Sequence, residues 1–266
     1  MTDLAGLTLA SPVLVASGCG GTGRELEPYV DLAALGGFVT RSISLDARDG
    51  ADAPRVVETP SGLLHAEGPN PGLEHFLATE LPWLVRSGTR VVVSIAARSL
   101  GEYAELARRL GRAPGLSAIE VAVAGEPFQA ASVVAAVQRD LPRGLPVLAK
   151  LRPDLLRVVE TARAVVDAGA AAVVVGDSQP GALPDGRPAG LSGPAVRPIA
   201  LRCVVEVHAA LPDVQVVGGG GIVTVADART FLDAGAVAIQ VGTALLHDPT
   251  TAARLAADLT REDVPQ

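Results

Sequence analysis

The chain has 266 residues, of which 48% are hydrophobic and only 3% aromatic, and its formal net charge is −7. This acidic balance argues against nucleic acid or an anionic membrane surface as a partner. Its two cysteines, Cys19 and Cys203, are too few for a disulfide framework or a Cys-rich metal site, and the four histidines show no metal-ligand spacing. Because the sequence contains neither an 18-residue apolar run nor a basic leader segment, we expect a metal-free cytoplasmic protein.

Short apolar runs alternate with helical segments along the whole chain. After a hairpin-like entry from residue 7, strands are predicted at 13–16, 38–42, 91–95, 118–123, 146–151, 171–176, 214–217 and 236–241. Helices are predicted at 25–35, 73–86, 99–110, 127–140, 155–168, 194–211, after the N-cap Thr224, and at 251–259. Residues 44–72 and 179–192 are rich in Gly and Pro and are predicted to be loops.

Eight strand–helix units in one uninterrupted chain favour an α/β fold, a single (β/α)8 TIM barrel with a short N-terminal hairpin, over residues 1–266. An open doubly wound sheet is the alternative, but no G-x-G-x-x-G follows the first strand. In a barrel, the carboxyl ends of all strands face one mouth. That rim would carry Ser17, Gly18, Arg41, Ser94, Gly125, Lys150, Asp177, Gly220, Gly221, Gly242 and Thr243, with the loop 44–72 as a possible cover.

Glycines end two neighbouring strands late in the chain, at 218–221 and again at Gly242-Thr243. Backbone N–H groups that no side chain covers can hold a phosphate without a lysine. Two tight turns with no ligand are the simpler interpretation of a glycine run. Their position on adjacent strands of a predicted barrel favours a phosphate cup.

The sequence resembles the class 1 dihydroorotate dehydrogenases over nearly its whole length. The most specific match is GLSGPAVRPIALR at 190–202, with ASGCGGTG at 16–23, PRVVETPSGLLHAEGPNPG at 54–72, LPWL at 81–84, AKLRPD at 149–154, GGGGI and VGTA. The resemblance implies an FMN-dependent barrel enzyme. It places the FMN phosphate on Gly193, Gly220, Gly221, Gly242 and Thr243, the flavin ring against Ala16, Ser17 and Gly18, and further FMN contacts on Arg41, Lys150 and Ser178.

Several positions depart from the family pattern on the substrate side. Where that family has I-E-L-N-I-S-C-P-N with a Cys or Ser base, residues 119–127 read IEVAVAGEP, so Gly125 takes the position of the base. Asparagines that would bind orotate become Ala122, Pro127, His65 and Asp177, and Arg41 replaces a lysine. We therefore expect His65 and Asp177 to act as an acid–base pair and Arg41 to bind an anionic substrate or the reduced flavin.

Other interpretations stay open. Glu126 is either a substitute base or the first-turn acid of a helix, and Cys19 is either near the flavin or a small core residue. An FMN oxidoreductase with a changed small-molecule substrate is the expected function. The alternatives are a genuine dihydroorotate dehydrogenase with a displaced base and a non-catalytic paralogue, flavin-binding or flavin-free, that serves as a partner subunit. The resemblance also implies a homodimer, and in some relatives an iron–sulfur subunit.

Overall fold

Eight parallel strands close into a barrel in a computed structural model, which describes residues 2–123 and 125–262. The strands are β1 (Thr2–Leu4), β2 (Leu7–Leu9), β3 (Val13–Val15), β4 (Gly37–Val39), β5 (Val56–Thr59), β6 (Gly62–His65), β7 (Val91–Ile95), β8 (Leu116–Val123), β9 (Val147–Leu151), β10 (Ala172–Val175), β11 (Gln179–Ala182), β12 (Pro188–Ser192), β13 (Val216–Gly219) and β14 (Ala236–Val241). Around the barrel the order of the strands is β10-β13-β14-β3-β4-β7-β8-β9.

Helices cover the outside of the barrel, and two of them begin with side-chain caps that the sequence predicts. Ser99 accepts the Glu102 N–H, and Thr224 exchanges hydrogen bonds with Asp227 in a capping box. The helices are α1 (Gly72–His75), continued by a π-turn (Phe76–Glu80), then α2 (Leu81–Arg86), α3 (Leu100–Leu110), α4 (Pro127–Asp140), α5 (Val158–Asp167), α6 (Arg197–Ala210), α7 (Val225–Asp233), α8 (Ala244–His247) and α9 (Thr251–Glu262).

The predicted barrel is confirmed, and so is the N-terminal hairpin, formed by β1 and β2. The predicted first helix at 25–35 is wrong. That segment, all of it within the described residues, forms turns and one 3₁₀ turn (Leu32–Ala34). Pro28 has no N–H to donate and interrupts the helical pattern, while Asp31 accepts the Ala33 N–H and begins the shorter turn.

Both predicted loops contain strands, so this part of the prediction is also wrong. Strands β5 and β6 lie within 44–72, strands β11 and β12 within 179–192, and the four form an antiparallel sheet in the order β11-β12-β6-β5. We call it the mouth sheet. Gly and Pro within these segments hide the strand pattern. The two prolines that lie within the strands occupy positions that a sheet tolerates: Pro180 on the edge strand and Pro188 at a strand start.

Two separate cores fill the molecule. The larger one lies between the barrel and its helices, and the smaller one fills the barrel interior. Leu4 and Leu9 of the hairpin belong to the interior core, and Gln215 accepts the Ala5 N–H at 2.6 Å, so the hairpin closes the amino-terminal end of the barrel. The open end is therefore the carboxyl one. Within the described residues no helix is both long and apolar enough to cross a membrane.

Replacement of Gly62 by alanine tests how the mouth sheet is joined. A Cβ on Gly62 would lie 1.9 Å from the Ser192 carbonyl oxygen, so β6 and β12 would have to separate. We expect Gly62→Ala to lower the free energy of unfolding by about 1–3 kcal/mol and to speed proteolysis within the mouth sheet. Gly68→Ala is the matched control, because a Cβ there meets no atom within 4 Å. Equal stability of the two variants would contradict this packing.

Candidate active site

The carboxyl ends of the barrel strands surround one large cavity, covered on one side by the mouth sheet. Its volume is about 1290 Å³, above the roughly 300–1,000 Å³ of a pocket for one drug-sized ligand. There is room for a cofactor together with a substrate. All the residues predicted from sequence to bind or react line it: Ala16, Ser17, Gly18, Arg41, His65, Lys150, Asp177, Ser178, Gly193, Gly220, Gly221, Gly242 and Thr243.

Two glycine-containing turns form one corner of the cavity. Gly193, Gly220 and Gly221 all have positive φ angles, of 97°, 113° and 69°. A Cβ on Gly221 would lie 2.7 Å from the Gly193 carbonyl oxygen and 3.0 Å from Pro194 Cα, so the two turns are packed backbone to backbone. The 3₁₀ turn Pro194–Val196 and α6 start from this corner. Bare backbone and a helix start are the features that suit a phosphate group, so this corner fits the phosphate of FMN.

A polar layer forms the floor of the cavity, directly above the apolar interior of the barrel. Alternation along each strand explains it, because Glu120, Lys150 and Gln240 each follow by two residues an interior-facing partner: Ala118, Leu148 and Ala238. Lys150 Nζ donates to Gln240 Oε1 at 3.0 Å, and Gln240 Nε2 donates to Glu120 Oε2 at 2.6 Å. The prediction named Lys150 but missed Glu120 and Gln240, although the period-two pattern contained them.

Cys19 lines the cavity beside the glycine turn at the end of β14. A Cβ on Gly242 would lie 3.3 Å from its sulfur. Burial raises the pKa of the Cys19 thiol to about 11, although the charge of Lys150 opposes that shift. A thiol with that pKa is protonated at neutral pH, which favours the packing role of Cys19 over a role as nucleophile.

His65 and Asp177 lie close enough to interact electrostatically. His65 ends β6 opposite Gly190 of β12, and a Cβ on Gly190 would lie 3.1 Å from His65 Cε1 and 2.3 Å from Ser178 Oγ. Because Gly190 has no side chain, there is space for both His65 and Ser178 beside it. Burial lowers the pKa of His65, and the charge of Asp177 partly opposes that shift. His65 is therefore neutral at pH 7 and able to accept a proton.

Arginine side chains line the cavity although the protein as a whole is acidic. Arg41 Nη1 donates to the Pro69 carbonyl at 3.2 Å, while its buried Nε has no hydrogen-bond partner among the described residues. Arg48 is 3.5 Å from Glu67, and Arg254 is 3.7 Å from Asp248. Sequence reasoning missed Arg152, which directly follows β9, lines the cavity, and makes no hydrogen bond or ion pair in the described part of the chain.

The described residues directly after β8 place no proton-accepting side chain in the lining of the cavity. Gly125 and Glu126 are not among the described residues that line the cavity, whereas Ala122 is. Glu126 is the N-cap of α4, shares a capping box with Gln129 and pairs with Arg157. These contacts favour the helix-end role for Glu126 over the role of a substitute base. Ala124, within the same stretch, lies outside the described residues.

Three carboxamide side chains line the cavity, and each makes a hydrogen bond within the protein. Asn70 accepts the Gly72 N–H at 2.9 Å and donates to Ser44 Oγ at 2.8 Å. Gln179 donates to the Pro153 carbonyl at 2.7 Å, and Gln240 belongs to the polar floor.

The lowered pKa of His65 predicts a pH dependence of stability. As the pH falls below about 6.5, the unfolded chain gains a proton on this histidine before the folded chain does. Stability is therefore lost on acidification, from the unfolded pKa down to the folded one. We expect His65→Gln to lose less of its unfolding free energy than the parent between pH 7.5 and 5.5 in urea titrations. His75→Gln, at an exposed histidine outside the cavity, is the control. Parallel pH profiles for His65→Gln and the parent would contradict the lowered pKa.

Comparison with known proteins agrees with this geometry. Residues 1–262 match the model of the dihydroorotate dehydrogenase family. The dihydroorotate dehydrogenase B (NAD(+)) catalytic subunit of Desulforudis audaxviator is 43% identical over 278 aligned positions, which cover 96% of this chain and 90% of that protein. Proteins of the same name from Geobacter sulfurreducens and Pelobacter propionicus are 41% and 40% identical, with 97% of this chain and 91% of each relative covered. These matches confirm the resemblance to class 1 enzymes: the chain belongs to the dihydroorotate dehydrogenase family.

Proposed function

We propose that the chain is an FMN-dependent oxidoreductase whose cofactor and substrate share the cavity at the barrel mouth. The observation that carries the proposal is the corner of packed glycine turns on the same cavity as a buried lysine. Bound FMN would supply a two-electron acceptor. Family membership over nearly the whole chain supports the same cofactor.

The proposed FMN contacts follow the resemblance and the lining of the cavity. Gly193, Gly220, Gly221, Gly242 and Thr243 would hold the phosphate with backbone N–H groups. Ala16, Ser17 and Gly18 would lie against the flavin ring, and Ser178 and Arg41 would contact it from other strand ends. Lys150 would stabilise the negative charge of the reduced flavin, since it is 8% exposed and presents an ammonium at the floor.

Gly221→Ala tests the phosphate corner. The added Cβ would push against Gly193 and Pro194 and shift the backbone donors. We expect the dissociation constant for FMN to rise at least about tenfold, which corresponds to ~1.4 kcal/mol. Fluorescence titration of the stripped protein measures it, and mass spectrometry identifies the cofactor. Gly186→Ala is the control, since Gly186 also has a positive φ, of 87°, but a Cβ there meets nothing within 4 Å. A parent protein that takes up no FMN would refute the proposal and favour a non-catalytic paralogue.

Dihydroorotate is the first candidate substrate, because the relatives at about 40% identity are named for it. Its oxidation forms one carbon–carbon double bond, with a hydride leaving one ring carbon for the flavin and a proton leaving the adjacent carbon. This chain must therefore supply a proton acceptor at the cavity. His65 is the best placed, because it lines the cavity and is neutral at pH 7, and Asp177 would stabilise the imidazolium that forms.

Anaerobic mixing with dihydroorotate tests this candidate directly. We expect bleaching of the flavin absorption in the parent protein and, if His65 is the base, a rate about 10²–10⁴-fold lower in His65→Gln. Asp177→Asn should lower the rate less and shift its pH profile, because it removes the charge that favours the imidazolium. His75→Gln is the matched control. A parent flavin that dihydroorotate does not reduce would exclude this substrate.

A different anionic substrate is the second candidate, and two cavity arginines that form no ion pair among the described residues favour it. Arg41 has a buried Nε without a hydrogen-bond partner, and Arg152 forms no ion pair among the described residues. Asparagine amides of the kind that would bind orotate are replaced by Ala122, His65 and Asp177 according to the family pattern. Each carboxamide lost from a binding site typically costs about 1–3 kcal/mol, so the cavity would bind the ring amides of dihydroorotate more weakly, whereas its arginines would still bind a carboxylate.

Substitution of the two arginines tests whether they bind the carboxylate of the substrate, and a panel of substrates separates the two candidates. We expect Arg41→Met and Arg152→Met each to raise KM for the true substrate about tenfold or more, because a charge-assisted hydrogen bond contributes about 1.5–3 kcal/mol. Arg41→Lys should raise KM less than Arg41→Met does, but it should not restore the parent value, because the forked donors of the guanidinium are lost. Arg229→Met, at an arginine that does not line the cavity, is the control. Flavin reduction is followed with a panel of small carboxylates and dihydroorotate. Unchanged KM in both arginine variants would exclude the anionic-substrate candidate.

The relatives are named catalytic subunits, which supports the proposal that this chain also works with a further subunit. Self-association into a homodimer stays a prediction from the resemblance. Size-exclusion chromatography with light scattering distinguishes a monomer from a dimer.

A further inference from the structure

Three buried polar side chains at the cavity floor form one connected group, which we call the floor triad: Glu120, Lys150 and Gln240. Their exposed fractions are 0%, 8% and 3%. They come from β8, β9 and β14, and β14 pairs with neither β8 nor β9 in the barrel. The triad therefore spans the barrel interior: Gln240 reaches from β14 to Glu120 and Lys150 on the adjacent strands β8 and β9.

Gln240 connects the two charged members. Its carbonyl oxygen accepts from Lys150 Nζ at 3.0 Å, and its amide nitrogen donates to Glu120 Oε2 at 2.6 Å. The other carboxylate oxygen, Oε1, is 3.5 Å from Nζ and has no hydrogen-bond partner. The amide is oriented by its neighbours, because a reversed amide would place its NH₂ against the ammonium and its oxygen against the carboxylate.

This geometry keeps the ammonium close to the carboxylate without a direct hydrogen bond between them. A direct hydrogen bond would neutralise more of the positive charge that Lys150 presents to the cavity. The carboxylate at 3.5 Å still compensates a buried cation that would be costly alone. Glu120 and Gln240 thus act in opposite directions: Glu120 reduces the field of Lys150 in the cavity, and Gln240 holds the ammonium away from Glu120.

We propose that Glu120 and Gln240 are positioning residues that set how much positive charge Lys150 presents to a bound flavin, and thereby set the reduction potential of that flavin. This inference rests on the proposed FMN site. A fixed cation favours the reduced flavin, which carries more negative charge than the oxidised form. The potential should therefore rise when the carboxylate is removed and fall when the amide is removed.

The test is the midpoint potential of bound FMN, measured by reductive titration against a reference dye. For Glu120→Gln we expect the equilibrium constant for two-electron reduction to rise at least about tenfold, a shift of about 30 mV upward. For Gln240→Met we expect a fall of about threefold or more, because the ammonium can then bond the carboxylate directly. Glu58→Gln is the matched control: Glu58 lines the same cavity but is exposed and is not part of the triad.

A background without the lysine separates positioning from other effects. Gln240→Met changes no formal charge. The double variant Lys150→Met/Gln240→Met should therefore have the same midpoint potential as Lys150→Met alone. An equal fall in both backgrounds, or an effect of Glu120→Gln no larger than that of Glu58→Gln, would overturn the inference. Melting temperatures check folding, and Glu120→Asp, which withdraws the carboxylate by one methylene, replaces Glu120→Gln if that variant does not fold. Failure of the parent to bind FMN would count against the proposed function instead.

Discussion

The cost of burying charge is the constraint on which the mouth of this barrel depends. Below the floor, the interior is filled by aliphatic side chains such as Leu148 and Val174. Above it lies a large cavity. A lysine at the boundary is acceptable only with a partner, and the carboxylate of Glu120 provides one at full burial. The boundary between apolar core and chemistry is thus one hydrogen-bonded layer, and its charges almost cancel inside the protein.

The barrel framework explains why so many glycines can surround the cavity. Parallel strands supply rigid positions, while their turns supply bare backbone where a ligand comes close. Gly176, for instance, packs so near Gly219 that a Cβ would lie 2.7 Å from its backbone. Charged side chains are then needed at few places, and they stand on strand ends: Lys150 within β9, Arg152 directly after it, and Arg41 after β4. The barrel strands fix the positions of the cavity residues, and a few charged side chains determine the charge of the cavity.

Periodicity predicted most of this architecture, since strands buried on both faces read as uninterrupted apolar runs, and β7 and β14 begin and end where predicted. The order of the strands alone predicted which residues lie at the mouth of the barrel. Gly and Pro hid the two local hairpins of the mouth sheet, and local pattern cannot report the pairing of β6 with β12, which joins segments more than a hundred residues apart. Arg152 was not predicted as a cavity residue because, in the sequence, an arginine after a strand cannot be distinguished from an ordinary surface residue. Whether the substrate side differs from that of the relatives depends on contacts that a single sequence does not contain.

The seam between β6 and β12 is only three residue pairs long, and His65 opposite Gly190 is one of them. The candidate proton acceptor is thus carried by the roof of the cavity, whereas the candidate flavin contacts Lys150 and Gly221 belong to the barrel beneath. Any separation of that seam would move the imidazole away from the floor. The position of the imidazole relative to the cavity floor therefore depends on these three residue pairs, and their loss would separate the candidate proton acceptor from the candidate flavin contacts without changing the barrel that carries those contacts.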